Sequence, residues 1–328
     1  MIWQDHLKVD PVRTLISSKN EALEYFTRRD ILDEKVKSIK TLWKLPEVEK
    51  ILRKQQDDGS WKYPGKIREH LRSKEDYNQL ETYRILAQLI EKYGLNQNHR
   101  SIKNAANYFF SCQNEEGDIR GILGNQYLPY YTGGIMELLI KAGYEQDPHI
   151  EQGFKWLISM KQNDGGWAFP IRTQNIKLKE AFNISEPIQP DKEKPFSHLV
   201  TGMVLRAFAA HSAYRRSEES RVASELLINR FFDADKYPDR KDKKFWGRVS
   251  FPFWFTDIVS ALDSLQNLGF KKDHPGIEAA LNWLKDKQKE DGLFNLKIVR
   301  GKDKANPYWI SLAVCRLFKG FYEENHVQ

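Results

Sequence analysis

Three stretches of this sequence share one spacing, and that spacing limits the fold more than any other feature of the chain. Ile102, Tyr108 and Gly117 stand 6 and 9 residues apart, as do Ile150, Trp156 and Gly165, and again Ile277, Trp283 and Gly292. Each set is a helix with an aromatic residue at its sixth step, then a glutamine (Gln113, Gln162, Gln288), then an acidic turn that opens on the glycine. Two residues past the glycine comes a ring or an aliphatic side chain: Trp61 after Gly59, Ile119 after Gly117, Trp167 after Gly165, Phe294 after Gly292. A helix C-terminus favours a left-handed residue, which glycine adopts without strain, and the following side chain packs back on the last turn. Unrelated helix caps would explain each glycine singly. They would not explain the shared phase.

A second kind of helix alternates with the first and is phased on a threonine near its start, at Thr82, Thr132, Thr201 and Thr256. Apolar residues follow at helical spacing, as Ile135, Met136, Leu138 and Leu139 follow Thr132. From these threonines to Ile102, Ile150, Val222 and Ile277 the distances are 20, 18, 21 and 21 residues. The repeating unit is therefore a helical hairpin of roughly fifty residues. The copy at Val222 keeps Ile228 at its sixth step but writes FFDADKYPD where the glycine turn belongs. At the ends, residues 20–32 read as one further partner helix, 46–56 as a shortened repeat helix and 307–321 as a last helix of the threonine-phased kind. The stretch 172–195 is polar and carries Pro187, Pro190 and Pro195, so it reads as an inserted loop or lid. Residues 1–18 read as an N-terminal arm, and the whole of 1–328 as one domain.

Of the 328 residues, 40% are hydrophobic and 12% aromatic, with nine Trp among them, which is ample for a packed core. A net charge of +7 suits a polyanionic partner, an anionic membrane surface or a phosphorylated substrate. The charge is dispersed, however. The densest run, residues 240–244, reads as a solvated loop, and no zinc-finger, Walker or dinucleotide-loop spacing occurs, so neither nucleic acid nor a metal or other cofactor is expected. Cys112 and Cys315 both fall inside apolar helical patterns and read as buried, reduced thiols of a cytosolic protein. No stretch of eighteen apolar residues is present and the first residues lack a signal-peptide profile, so the expectation is a cytoplasmic chain, with peripheral contact to a membrane left open. Oligomeric state is not legible here.

The turns QDDGSW at 56–61 and QNDGGW at 162–167 resemble the Q-x2-3-G-x-W signature of the prenyltransferase and squalene oxidase repeat, found in squalene-hopene cyclases and in protein prenyltransferase β subunits. The resemblance runs from about residue 46 to 321. It implies an all-α fold, an α/α toroid of five to six helical hairpins, with inner helices in a ring around a central cavity. If the threonine-phased helices are the inner ring, their first turns face the cavity mouth. Those turns hold Tyr77, Asn78 and Glu81; Tyr130 and Tyr131; Phe196 and His198; Phe253, Trp254, Phe255 and Asp257; and Tyr308 and Trp309. Such a lining suits a polyprenyl or other large apolar, isoprenoid-like ligand, and ring quadrupoles could stabilise a carbocation. The same rings could equally fill the core between helices. The candidate binding residues are thus Tyr77, Glu81, Tyr130, Tyr131, His198, Trp254, Phe255, Tyr308 and Trp309.

For chemistry, the resemblance implies a class II terpene cyclase, which protonates its substrate with an Asp of a DxDD motif. That motif is absent. At the matching phase Trp254-Phe255-Thr256-Asp257 keeps one carboxylate, so Asp257 is the candidate catalytic acid, or else a helix cap. Asp233, Asp235 and Asp239 read as turn acids. A protein prenyltransferase zinc site would need Asp and Cys two residues apart, which this chain lacks. The glycine-spaced loop 117–126, with Arg120, reads as a turn into the next helix rather than a phosphate cradle. Three functions stay open: a terpene-cyclase-like protein that binds an apolar ligand, a non-catalytic scaffold or binding module, and a carbohydrate-active toroid in which Glu81 and Asp257 flank a glycosidic bond.

Overall fold

The computed structural model describes residues 3–68, 73–299 and 303–323. It is all-α in character, with short strand segments only, at β1 (Ile122–Asn125), β2 (Arg248–Val249) and β3 (Lys297–Ile298). The helices are α1 (Val12–Ile16), α2 (Glu21–Asp30), α3 (Pro46–Leu52), α4 (Lys74–Tyr93), α5 (Arg100–Ser111), α6 (Pro129–Leu139) and α7 (Pro148–Ser159). They continue with two single turns, α8 (Pro170–Thr173) and α9 (Leu178–Ala181), and then α10 (His198–Ala210), α11 (Glu218–Ile228), α12 (Ile258–Asn267), α13 (Pro275–Asp286) and α14 (Asn306–Tyr322). None among the described residues is long and apolar enough to cross a membrane. The chain forms two compact units, one of Ile39–Leu226 with Lys236–Pro238, the other of Met1–Ser38, Leu227–Asp235 and Asp239–Gln328.

The repeated turn is a fastener between successive helices. Each turn glycine has a positive φ, 89° at Gly59, 107° at Gly117, 103° at Gly165 and 83° at Gly292. A Cβ on Gly59 would stand 2.2 Å from the Asn104 carbonyl oxygen, and one on Gly117 would stand 2.4 Å from that of Gln152. Conformation and close approach both demand glycine there. The residue two past the glycine then donates its backbone N–H to the hydroxyl that phased the next helix. Trp61 donates to Thr82 at 2.9 Å, Ile119 to Thr132 at 3.2 Å and Trp167 to Thr201 at 2.8 Å, while Phe294 donates to Ser311 at 3.1 Å. The two tryptophans also tie back to their own preceding helices, Trp61 Nε1 to the Ile51 carbonyl at 2.9 Å and Trp167 Nε1 to that of Leu157 at 2.6 Å.

The glutamines correct the register assumed from sequence. Gln55, Gln113 and Gln288 each donate from Nε2 to the carbonyl of the glycine four residues on, at 2.9, 2.7 and 3.0 Å. The same Nε2 also reaches a carbonyl of the next segment, at Ser101, His149 and Val9 respectively. Gln162 lies three residues before its glycine and does something else, holding the Asp191 and Lys194 carbonyls of the inserted stretch at 2.7 and 2.9 Å. Thr256 departs from its phase as well. It lies just before the N-cap of α12 rather than inside that helix, so this copy is out of step with the other three. In the diverged turn Trp246 Nε1 donates to the Asp233 carbonyl at 2.9 Å, a different fastening.

In the Ile39–Leu226 unit the threonine-phased helices α4, α6 and α10 pack on one another. Gly133 and Gly134 set the spacing, because a Cβ on the first would stand 2.9 Å from Val204 Cα and one on the second 2.5 Å from the Tyr83 hydroxyl. Between α6 and α10 the fully buried Glu137 pairs with Arg206 at 2.6 Å, and Lys141 binds Glu137 at 2.8 Å and Glu91 at 2.7 Å. Deleting one member would strand a buried charge. In the other unit the first residues are docked by the Gln288 side chain, whose Oε1 accepts from the Lys8 and Val9 amides at 2.8 and 3.1 Å. Both cysteines are free; Cys315 is buried as expected, whereas Cys112 is only partly so.

Candidate functional site

Five of the ten residues singled out at helix starts lie in each unit. In the second-described unit Asp257 is the N-cap of α12, with no exposed surface. Its Oδ1 accepts from the amides of Val259 and Ser260, both at 3.0 Å, and Ser260 Oγ accepts in return from the Asp257 amide at 3.0 Å. Trp309 is buried at 1% exposure, stacked on Phe251 at 5.5 Å and edge-on to Phe26 at 6.0 Å. Trp254 is buried as well, and the Arg240 guanidinium covers the Phe255 ring at 4.1 Å. Tyr308 is half-buried. This set is occupied largely by the core and by capping.

The other five, Tyr77, Glu81, Tyr130, Tyr131 and His198, begin α4, α6 and α10. Tyr130 and His198 are buried; Tyr77, Glu81 and Tyr131 remain half-buried. Tyr130 packs between Tyr131 at 4.9 Å and Phe169 at 5.7 Å, and Tyr131 meets Tyr83 edge-on at 5.9 Å. Near the start of α4 lies a groove of about 580 Å³, lined by Tyr63, Tyr77, Phe182 and Leu178, with Lys66, Arg68 and Lys179 at its rim. That is within the size range of small-molecule sites. Tyr63 is positioned by its amide, which donates to the Asn78 side chain at 2.9 Å, and its ring lies 4.9 Å from that of Tyr77. Among the described residues no carboxylate lines the groove, and Lys66, Arg68 and Lys179 form no ion pair.

One turn beyond Tyr77 along α4 stands Glu81. Burial raises its pKa above the ordinary carboxylate value, and this outweighs the opposing pull of Arg84, whose guanidinium lies 3.4 Å away. Arg84 also lies over the Tyr63 ring at 6.0 Å, so the carboxyl, the cation and the groove wall are neighbours. The far wall comes from the insertion. Gln126 fastens that segment, its Nε2 donating to the Ala181 and Ile184 carbonyls at 3.1 and 3.0 Å and its Oε1 accepting from Ile188 at 3.0 Å. The glycine-spaced loop before it spends its arginine internally: Arg120 binds the buried Asp118 at 2.7 Å and Glu116 at 3.2 Å. It is a turn, as read.

Sequence reasoning missed Tyr63, Lys66, Arg68, Leu178, Lys179 and Phe182. The available signal was the composition of two loops, an aromatic followed by spaced cations after Trp61 and a Leu-Lys pair with a phenylalanine inside the insertion. No group of three or more potential metal ligands occurs among the described residues.

A family model of the squalene-hopene cyclase C-terminal domain matches residues 75–186. Over that stretch the chain is squalene-hopene cyclase-like. The matched stretch contains Tyr77, Glu81, Tyr130, Tyr131 and the Leu178–Phe182 wall, and it excludes Asp257. No curated protein matches the sequence. Among solved structures, a polysaccharide lyase is similar at 12% identity and a TM-score of 0.46, covering 88% of each chain. A protein from Actinoplanes is 12% identical at a TM-score of 0.41, covering 94% of this chain and 87% of its own. A type II terpene cyclase from Scytonema, solved with its product merosterolic acid A, is 12% identical at a TM-score of 0.35, covering 86% of this chain and 95% of its own.

Proposed function

We propose that the groove at the start of α4 binds an isoprenoid-like small molecule that carries an anionic head. The observation that carries this reading is the division of the lining: Tyr63, Tyr77, Phe182 and Leu178 form an apolar wall, and three cations with no ion pair among the described residues form the rim. An apolar tail gains from the rings, and a phosphate or carboxylate gains from the rim. The squalene-hopene cyclase-like character of residues 75–186 supports an apolar tail of terpenoid kind. Binding of farnesyl phosphate and farnesol, measured side by side by calorimetry, tests it. The phosphate is expected to bind at least about ten-fold tighter, roughly 1.4 kcal/mol, and Lys66→Ala with Arg68→Ala is expected to erase that preference. Equal binding of the two, or a preference that survives the double variant, would overturn the anionic head. Absence of binding by either would favour a scaffold.

A second reading rests on Glu81. A carboxyl whose pKa is raised by burial, one helical turn from a groove lined by aromatic rings, is the kind of group that donates a proton to an alkene. On this reading Glu81, and not the capped Asp257, is the acid. Incubation with polyprenyl substrates and comparison of Glu81→Gln with Asp257→Asn separates them, since product lost only in the first variant supports Glu81 and product lost only in the second refutes it.

A further inference from the structure

A second concavity in the same unit shares no lining residue with the groove. The 3-10 turn Ile39–Lys44 runs straight into α3, and the two meet the start of α5 at His99. Together they enclose about 490 Å³, lined by Trp43, His99, Lys40, Lys44 and Arg53 with Leu52 and the single carboxylate of Glu49. Trp43 is half-buried and gives the site a flat apolar wall. Its ring is set edge-on to His99 at 5.6 Å and 87°, and Lys40 Nζ lies 5.9 Å from its centroid.

Apart from the Glu49 carboxylate, the polar side chains around this wall are donors. Nδ1 of His99 accepts from the Ser101 amide at 3.1 Å, so the neutral ring carries its proton on Nε2. Burial lowers the pKa of His99, which favours that neutral, donating form near pH 7. Lys44 and Arg53 form no ion pair among the described residues, and three cations face one carboxylate. A flat indole accepts the face of a ring, and the cations demand a negative charge beside it. Except for His99, these residues also lie outside the stretch that matches the cyclase family.

We infer that this concavity is a binding site for a sugar-sized ring bearing an anionic group, a sugar acid or a sugar phosphate. The ring lies against Trp43, and the carboxylate or phosphate bonds to Lys44 and Arg53. Titration of the full-length protein with glucuronate, glucose 6-phosphate and glucose, followed through the indole N–H resonance of Trp43, tests the site; that resonance is assigned by its loss in Trp43→Phe. At least one of the two anions is expected to shift the Trp43 resonance saturably and to bind ten-fold or more tighter than glucose. Which anion wins distinguishes the sugar acid from the sugar phosphate. Lys44→Ala with Arg53→Ala, both exposed positions that leave the fold intact, is expected to weaken the anion at least ten-fold. Glucose binding as tightly as the anions, no shift with any of the three, or a shift untouched by the double variant would each overturn the inference.

Discussion

Asp257 and Glu81 are both carboxylic acids near the start of helices, yet their surroundings give them opposite occupations. Asp257 has no exposed surface, and one oxygen is bound by two backbone amides, while Ser260 closes the capping box from the other side. Glu81 stands further into its helix, past a cap that Ser73 and Asp76 already supply. Its ion partner among the described residues is Arg84 at 3.4 Å, and burial leaves it with a raised pKa. Proximity to a helix start therefore does not distinguish a structural carboxyl from a reactive one. What distinguishes them is whether the carboxyl oxygens are already committed to the backbone.

The largest difference is expected from truncation. Asp257→Ala removes the acceptor of two buried amides and should destabilise the protein by about 2 kcal/mol, at the upper end of cap losses. Glu81→Ala leaves no backbone group unpaired and should cost under about 1 kcal/mol. Denaturant unfolding of both variants checks the contrast, and equal losses would break it. Asp257→Asn keeps one acceptor oxygen and should fall between wild type and Asp257→Ala, losing about 1 kcal/mol or less.

A subtler test uses pH. Because the folded-state pKa of Glu81 lies above the ordinary value of 4.5, the folded chain holds this proton longer than the unfolded chain does. The corresponding stability is present below the unfolded pKa and is lost as the pH rises through the folded one. Glu81→Gln cannot lose a proton, so its stability relative to wild type should climb as the pH rises from 4.5. Unfolding curves at acid and neutral pH measure this. A stability difference that stays flat, or that runs the other way, would show that Glu81 is held as an ordinary carboxylate.

How much of this was legible in the sequence follows from how local each feature is. The turns could be read because glycine, the ring two residues later and the glutamine act within a few residues of one another. The four-residue step from Gln55, Gln113 and Gln288 to their glycines was countable too, but Gln162 stands one position later in a turn of the same length, where Lys161 takes the place of the other glutamines. The threonines were found as markers of phase, while their role as acceptors for Trp61, Ile119 and Trp167 needed the neighbouring helix in place. Trp254 and Trp309 show the limit of reading aromatic residues at helix starts, since a ring there can turn into the core as readily as away from it. The groove was least legible. Tyr63 and Phe182 lie more than a hundred residues apart, and long-range fastenings of the insertion, those of Gln126 and Gln162 among them, bring that segment to its place.

The smallest expected effect gives the sharpest form of the comparison. If Glu81 is uncommitted, its attachment to Arg84 is a partly exposed ion pair at long range, worth about 0.5 kcal/mol. Arg84→Gln should therefore destabilise by about that amount at pH 7. It should also raise the Glu81 pKa further, because Arg84 is the group that opposes burial there. At pH 3 Glu81 is protonated in folded and unfolded chains alike, and the coupling should vanish. A double-mutant cycle of Glu81→Gln and Arg84→Gln at the two pH values isolates the pair from whatever else Arg84 contacts, including the Tyr63 ring. A coupling that persists unchanged at pH 3 would mean that the two side chains are joined by packing rather than charge. One well above about 1 kcal/mol at pH 7 would mean that Glu81 is as firmly engaged as Asp257. In the second case the carboxyl would be committed to its partner and would no longer be available as an acid.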